Sequence, residues 1–171
     1  MQALLDRLNG PLHLAVALAC AWLVFGSPWI GMYHQMPDEP GWTNVAHVAL
    51  GFAVLAAGAL YFAACVQGGR WRLYFPWTAE GVGAVLRDLG GLARGRRPTA
   101  DGAGLLTLIE GLLLLALLGA AASGAAWFFT QGGDAAVAWR EHHIVAARAF
   151  ALLMLLHVVG VALHVVDLVR D

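Results

Sequence analysis

The residues with most chemistry to offer are seven histidines: His13, His34, His47, His142, His143, His157 and His164. A neutral imidazole is a metal ligand, including an axial ligand to haem iron, and a proton carrier. Spacing narrows the choice. His143 and His157 are 14 residues apart. At about 100° and 1.5 Å per residue, a helix projects both from one face, about 21 Å apart along its axis. Such a step suits two stacked sites rather than one. His142 is the rival for the outer position, but it lies about 100° round the helix from His143 and aligns less well with His157. His34 falls in a connecting segment and reads as a surface histidine.

The elements that must position these rings are apolar. The chain has 171 residues, 60% hydrophobic and only 12% charged, against about 25% charged in a soluble domain. Its mean hydropathy is +0.70. So little charge cannot cover a water-facing surface, so the bilayer is the expected solvent. Crossing it takes about 20 mostly apolar residues, and four runs qualify, at roughly 12–30, 43–66, 103–129 and 141–168. The expected fold is an all-α membrane protein, a bundle of four transmembrane helices forming one domain over residues 1–171. Strands are excluded by the length and Ala/Leu richness of the runs, and a helix satisfies its own backbone in lipid. The first run is long and preceded by an amphipathic start, so no cleavable signal peptide is expected. Cys20 and Cys65 sit inside apolar runs with no CxxC or CxxCH. They read as packing residues, which excludes covalent haem attachment and a thiolate metal site.

Arginine sets the orientation, since the chain has no lysine. The segment 68–102 holds Arg70, Arg72, Arg87, Arg94, Arg96 and Arg97, while Arg7 and Arg170 flank the first and last helices. The other two connections hold Arg140 with Asp38, Glu39, Asp134 and Glu141. The positive-inside rule then puts both termini and the long loop in the cytoplasm. Trp29, Tyr33, Trp42, Trp127 and Trp139 would anchor the outer interface, and Trp71, Tyr74 and Trp77 the inner one. Within the long loop, Val82, Val85, Leu86, Leu89 and Leu92 recur at helical spacing between Glu80, Arg87 and Asp88. This segment is expected to form an amphipathic helix on the inner leaflet, although four glycines weaken it.

With that topology the histidines match by level. His47 opens the second helix and His143 the fourth, both on the outer side. His13 opens the first helix on the inner side, level with His157. Ionisable groups inside a membrane are costly and default to function. Two haems held by His47 with His143 and by His13 with His157 are the economical reading. Four unrelated interfacial histidines are the competing one. Gly51, one turn past His47, would let a flat macrocycle approach, or serve only helix packing.

These residues resemble the bacterial cytochrome b561 superfamily, closest to the di-haem cytochrome b subunits of formate dehydrogenase and nickel–iron hydrogenase. The resemblance spans the chain and rests on "PLH" at helix one, "NVAHVALGF" at helix two and "REHHIVAARAFALLMLLHVVGVALH" in helix four. In the inner loop, "RRPTADGAGLLTLIEG" stands where the dehydrogenase-partner branch carries a proline and a glycine-containing link. The Asn-x-x-Gln-Lys residues of that branch are missing at the head of helix three. The resemblance implies two haem b groups on His13, His47, His143 and His157, quinone as electron-transfer partner, and a bacterial cytoplasmic membrane location.

Other ionisable groups are placed around that frame. Arg140 is the candidate for an outer haem propionate, because a guanidinium pairs with a carboxylate bidentately; Arg72 is the inner counterpart. Glu110 and His164 are candidates for quinone contact and proton delivery, or else form an interfacial polar pair, with Glu110 bonded to an inner-loop arginine. Arg148 points at neither iron level, which leaves a propionate, a partner subunit or a second copy as its destination. The first functional expectation is an anchor and electron conduit between a catalytic redox subunit, or a cytochrome c-like protein, and quinone. The alternative is a self-sufficient superoxide:quinone oxidoreductase, which the acidic outer rim disfavours because it would repel an anion. A third class is a transporter or channel using histidines for metal or protons. Nucleic acid is not an expected partner.

Overall fold

The computed structural model describes residues 2–26, 30–69, 71–76, 78–98 and 102–170, with side chains at 2–13, 73 and 163–170 outside the description. Among the described residues the fold is all-helical: α1 (Gln2–Gly26), α2 (Trp42–Gln67), α3 (Trp71–Tyr74), α4 (Ala79–Leu92), α5 (Leu105–Thr130) and α6 (Asp134–Arg170).

Three helical stretches are long and apolar enough to cross a membrane: Trp42–Gln67, Leu105–Thr130 and Asp134–Ala162, with mean hydropathies of 2.1, 2.3 and 2.2. A helix of 26 residues is about 39 Å long, more than the roughly 30 Å of hydrocarbon. No more than 17% of the most apolar stretch of any of them is buried within the chain, so their Leu, Val and Phe side chains need an apolar solvent. In α1, Leu14–Gly26 is a shorter apolar helix.

Two boundaries differ from the sequence expectation. The first helix is already formed at Gln2 rather than near residue 12; its expected end near residue 30 falls against residues 27–29, which lie outside the description. The last helix begins at Asp134, not Glu141. Asp134 sits in its first turn, where a carboxylate complements the helix dipole. The alanines that follow are strong helix formers, and Ala136 is fully buried. The tight turn before it uses Gly132 at φ +81°.

Contacts divide the chain into two compact units, 1–59 with 118–147 and 60–117 with 148–171. In the first, the segment after α1 is tied to the α5–α6 connection. Gly132 N donates to His34 O (2.9 Å), Trp127 Nε1 to Tyr33 O (2.9 Å) and Met36 N to Gln131 Oε1 (3.2 Å). In the second, Thr78 caps α4 by accepting from Gly81 N at 3.2 Å. The buried face of α4 is Gly81, Val85 and Asp88, spaced at i, i+4 and i+7. Asp88 Oδ2 accepts from Leu105 N at 2.9 Å, satisfying an otherwise orphaned donor at the start of α5. Val82, Leu86, Leu89 and Leu92 stay exposed, as an amphipathic surface helix requires.

Candidate functional site: the His47–His143 pair

Within the first unit, α2 and α6 bring two of the expected ligands together. The rings of His47 and His143 stand 6.0 Å apart between centroids, at 82° to one another. An imidazole nitrogen binds a metal at about 2.0–2.1 Å, so two rings on opposite sides of one ion have centroids about 6.3 Å apart. The observed spacing is close to that.

His143 is fixed from α5. Its Nδ1 lies 2.8 Å from Ala120 O. A carbonyl only accepts, so Nδ1 carries the hydrogen, and in the neutral ring Nε2 keeps its lone pair for a metal. The Ala120 carbonyl also accepts from Ser123 Oγ at 3.0 Å, as its two lone pairs allow. Gly124 makes room for the ring: a Cβ there would lie 3.1 Å from His143 Nδ1 and 3.3 Å from Cε1. The backbone of α5 thus sets both the tautomer and the position of the imidazole.

His47 is different. Its Nδ1 is buried without a hydrogen-bond partner, and so is Oδ1 of Asn44, one turn earlier on α2. Each of these two atoms costs about 1–3 kcal/mol when left unsatisfied. One turn later, a Cβ on Gly51 would meet nothing within 4 Å. Beyond it, Phe52, Phe128 and Phe129 form an aromatic cluster with centroids 5.5–5.8 Å apart.

The remaining candidates are placed as follows. His142 is exposed, with Nδ1 2.6 Å from Ala138 O and its ring 5.7 Å from that of Trp139. Arg140 donates from Nε to Met32 O at 3.1 Å and sits 4.8 Å over the Tyr33 ring, using one of its five donors in that bond. An apolar cleft of about 680 Å³, lined by Trp22, Phe25, Gly26, Trp42 and Thr43, contains no histidine.

In the second unit, His157 Nδ1 lies 3.8 Å from Glu110 Oε1. Arg72 is exposed, with its guanidinium 5.7 Å over the Trp71 ring, and Arg148 is exposed on α6. The side chains of His13 and His164 lie outside the described residues. Asn44 is the residue that sequence reasoning passed over. Its signal was present, as a polar side chain three residues before His47 on a helix that is otherwise apolar on that face.

No group of three or more His, Cys, Asp or Glu side chains capable of holding a metal occurs among the described residues. Structural zinc takes four protein ligands and catalytic zinc or non-haem iron three, whereas haem iron arrives with four nitrogens and takes only one or two axial protein ligands. The paired histidines fit the second requirement. Comparison of the chain with protein-family models, with curated proteins and with solved structures returns no match.

Proposed function

We propose that this chain is a four-span, di-haem b-type cytochrome of the bacterial cytoplasmic membrane, with both termini inside. It would act as anchor and electron-transfer subunit between a partner dehydrogenase or other redox protein and the quinone pool. The observation that carries the reading is the His47–His143 pair, 6.0 Å apart, with one ring held in the ligating tautomer by Ala120 O. Its other support is the resemblance to di-haem cytochrome b subunits and the 14-residue step to His157.

In this reading His47 and His143 hold one haem b, and His13 and His157 the other. When bound, the haems supply one-electron transfer between ferric and ferrous iron; the protein supplies ligands, orientation and low dielectric. Ala120 O and Gly124 keep the His143 ring from turning. Gly51 leaves the face beside His47 open to a flat group. Arg140, carried over the Tyr33 ring, neutralises an outer propionate, and Arg72 an inner one. His164 would serve the quinone end, where two-electron reduction also requires protons. Arg148 is exposed on a helix read as spanning, and a bare arginine at the centre of a bilayer costs about 2.5–3.5 kcal/mol. A partner's helix covering Arg148 would remove that cost, which favours the anchor role over a self-sufficient enzyme.

The test is an absorption spectrum of the chain purified in mild detergent, followed by addition of a quinol. The proposal expects a b-type Soret band and quinol-driven reduction of the haem. A protein with no Soret band after expression with ample haem overturns it.

A further inference from the structure

Resting on the haem reading of His157, we infer that Glu110 is a positioning residue for that ligand. Its carboxylate would hold the imidazole through Nδ1 and keep the iron bound there at a lower potential than the iron on His47 and His143.

The geometry starts from the approach of α5 to α6. A Cβ on Gly160 would fall 2.8 Å from Leu106 Cδ2, so the glycine lets the Leu106 side chain lie directly against α6. Gly160 is three residues past His157, and Leu106 four before Glu110; each is about one turn away on its helix. The same approach therefore presents Glu110 to His157. The two side chains meet Oε1 to Nδ1 at 3.8 Å, both only partly exposed, at 41% and 24%. That is ion-pair spacing rather than a hydrogen bond. Three rotatable bonds let a glutamate close the remaining roughly 1 Å without backbone movement.

The contact falls on a particular atom. It engages Nδ1 and leaves Nε2 for a metal, the arrangement His143 makes with Ala120 O. The partner differs in charge. His143 donates to a neutral carbonyl, whereas His157 faces a carboxylate. A carboxylate behind a ligating histidine raises the basicity of the ligand, and a more basic ligand favours ferric over ferrous iron. Second-layer hydrogen bonding is one of the main controls on haem potential. The two ligands thus differ in the charge of the group behind them.

The experiment is an optical redox titration of the purified holoprotein, comparing the native chain with Glu110→Gln, Glu110→Asp and His157→Ala. Glutamine keeps the shape and removes the charge. The expected result is that Glu110→Gln retains both haems and shifts one reduction wave upward by 10- to 100-fold in its equilibrium constant, at about 59 mV per tenfold for one electron. That wave is the one missing in His157→Ala. Glu110→Asp, which keeps the charge, should move it less, and guards against a fold defect specific to glutamine.

Unchanged waves in Glu110→Gln and Glu110→Asp overturn the inference while leaving the haem reading intact. The same holds if quinol-driven reduction slows with both waves in place, which would make Glu110 a proton or quinone contact. Retention of both haems by His157→Ala instead overturns the ligand assignment on which the inference rests.

Discussion

Replacing Gly124 by alanine tests the outer site without removing a ligand. The new Cβ would stand 3.1 Å from His143 Nδ1, about 0.3 Å inside ordinary contact. The ring cannot simply yield toward Ala120 O, where a 2.8 Å hydrogen bond is already near its optimum. It must swing aside and weaken that bond, at a net cost of about 0.5–1.5 kcal/mol. Alanine in mid-helix returns about 1 kcal/mol over glycine. Thermal stability of the apoprotein should therefore hardly change. Haem affinity should change, because disturbing the partner that orients a ligating histidine costs about 10- to 100-fold. The assay is haem titration of the apoprotein with a melting curve alongside. Gly124→Ala with native haem affinity and a native spectrum would refute the argument that α5 sets the position of the His143 ring.

Other outcomes follow from the same geometry. His142→Ala should leave haem content at the native value, whereas His143→Ala should lower it by one haem per chain in a pyridine haemochrome assay, because His142 faces out against Ala138 O and Trp139. Asp88→Ala should cost about 0.5–2 kcal/mol, as loss of a helix cap does; faster proteolysis of the 78–98 segment and a lower melting temperature would register it. A chain with Cys20 and Cys65 replaced by alanine and a single cysteine at Arg96 should react with a membrane-impermeant thiol reagent only from the cytoplasmic side. Labelling of intact cells from outside would contradict the four-span orientation.

The helices were readable from the chain because apolar runs of bilayer length mark them, and three form at spanning length among the described residues. The amphipathic pattern from Val82 to Leu92 was readable too, as α4 shows. What the sequence could not supply was anything set by a neighbouring helix. Local spacing prefers His143 to His142 only weakly; Ala120 O and Gly124, on another element, direct their different placements. Gly81 looked like a weakness in α4, yet a Cβ there would lie 2.6 Å from Pro76 Cβ, so close packing demands it. The early start of α6 was hidden because Asp134 and Glu141 read as loop charges, when Asp134 is a favourable first-turn residue. Asn44 went unnoticed because the burial of a polar atom depends on what surrounds it.

The most direct test of the central claim is the haem count per chain in the native protein and in His47→Ala. The account predicts two haems in the native chain and one in the variant, with the lost haem the same one that His143→Ala loses. Two haems retained in His47→Ala, or none in the native protein, would contradict it.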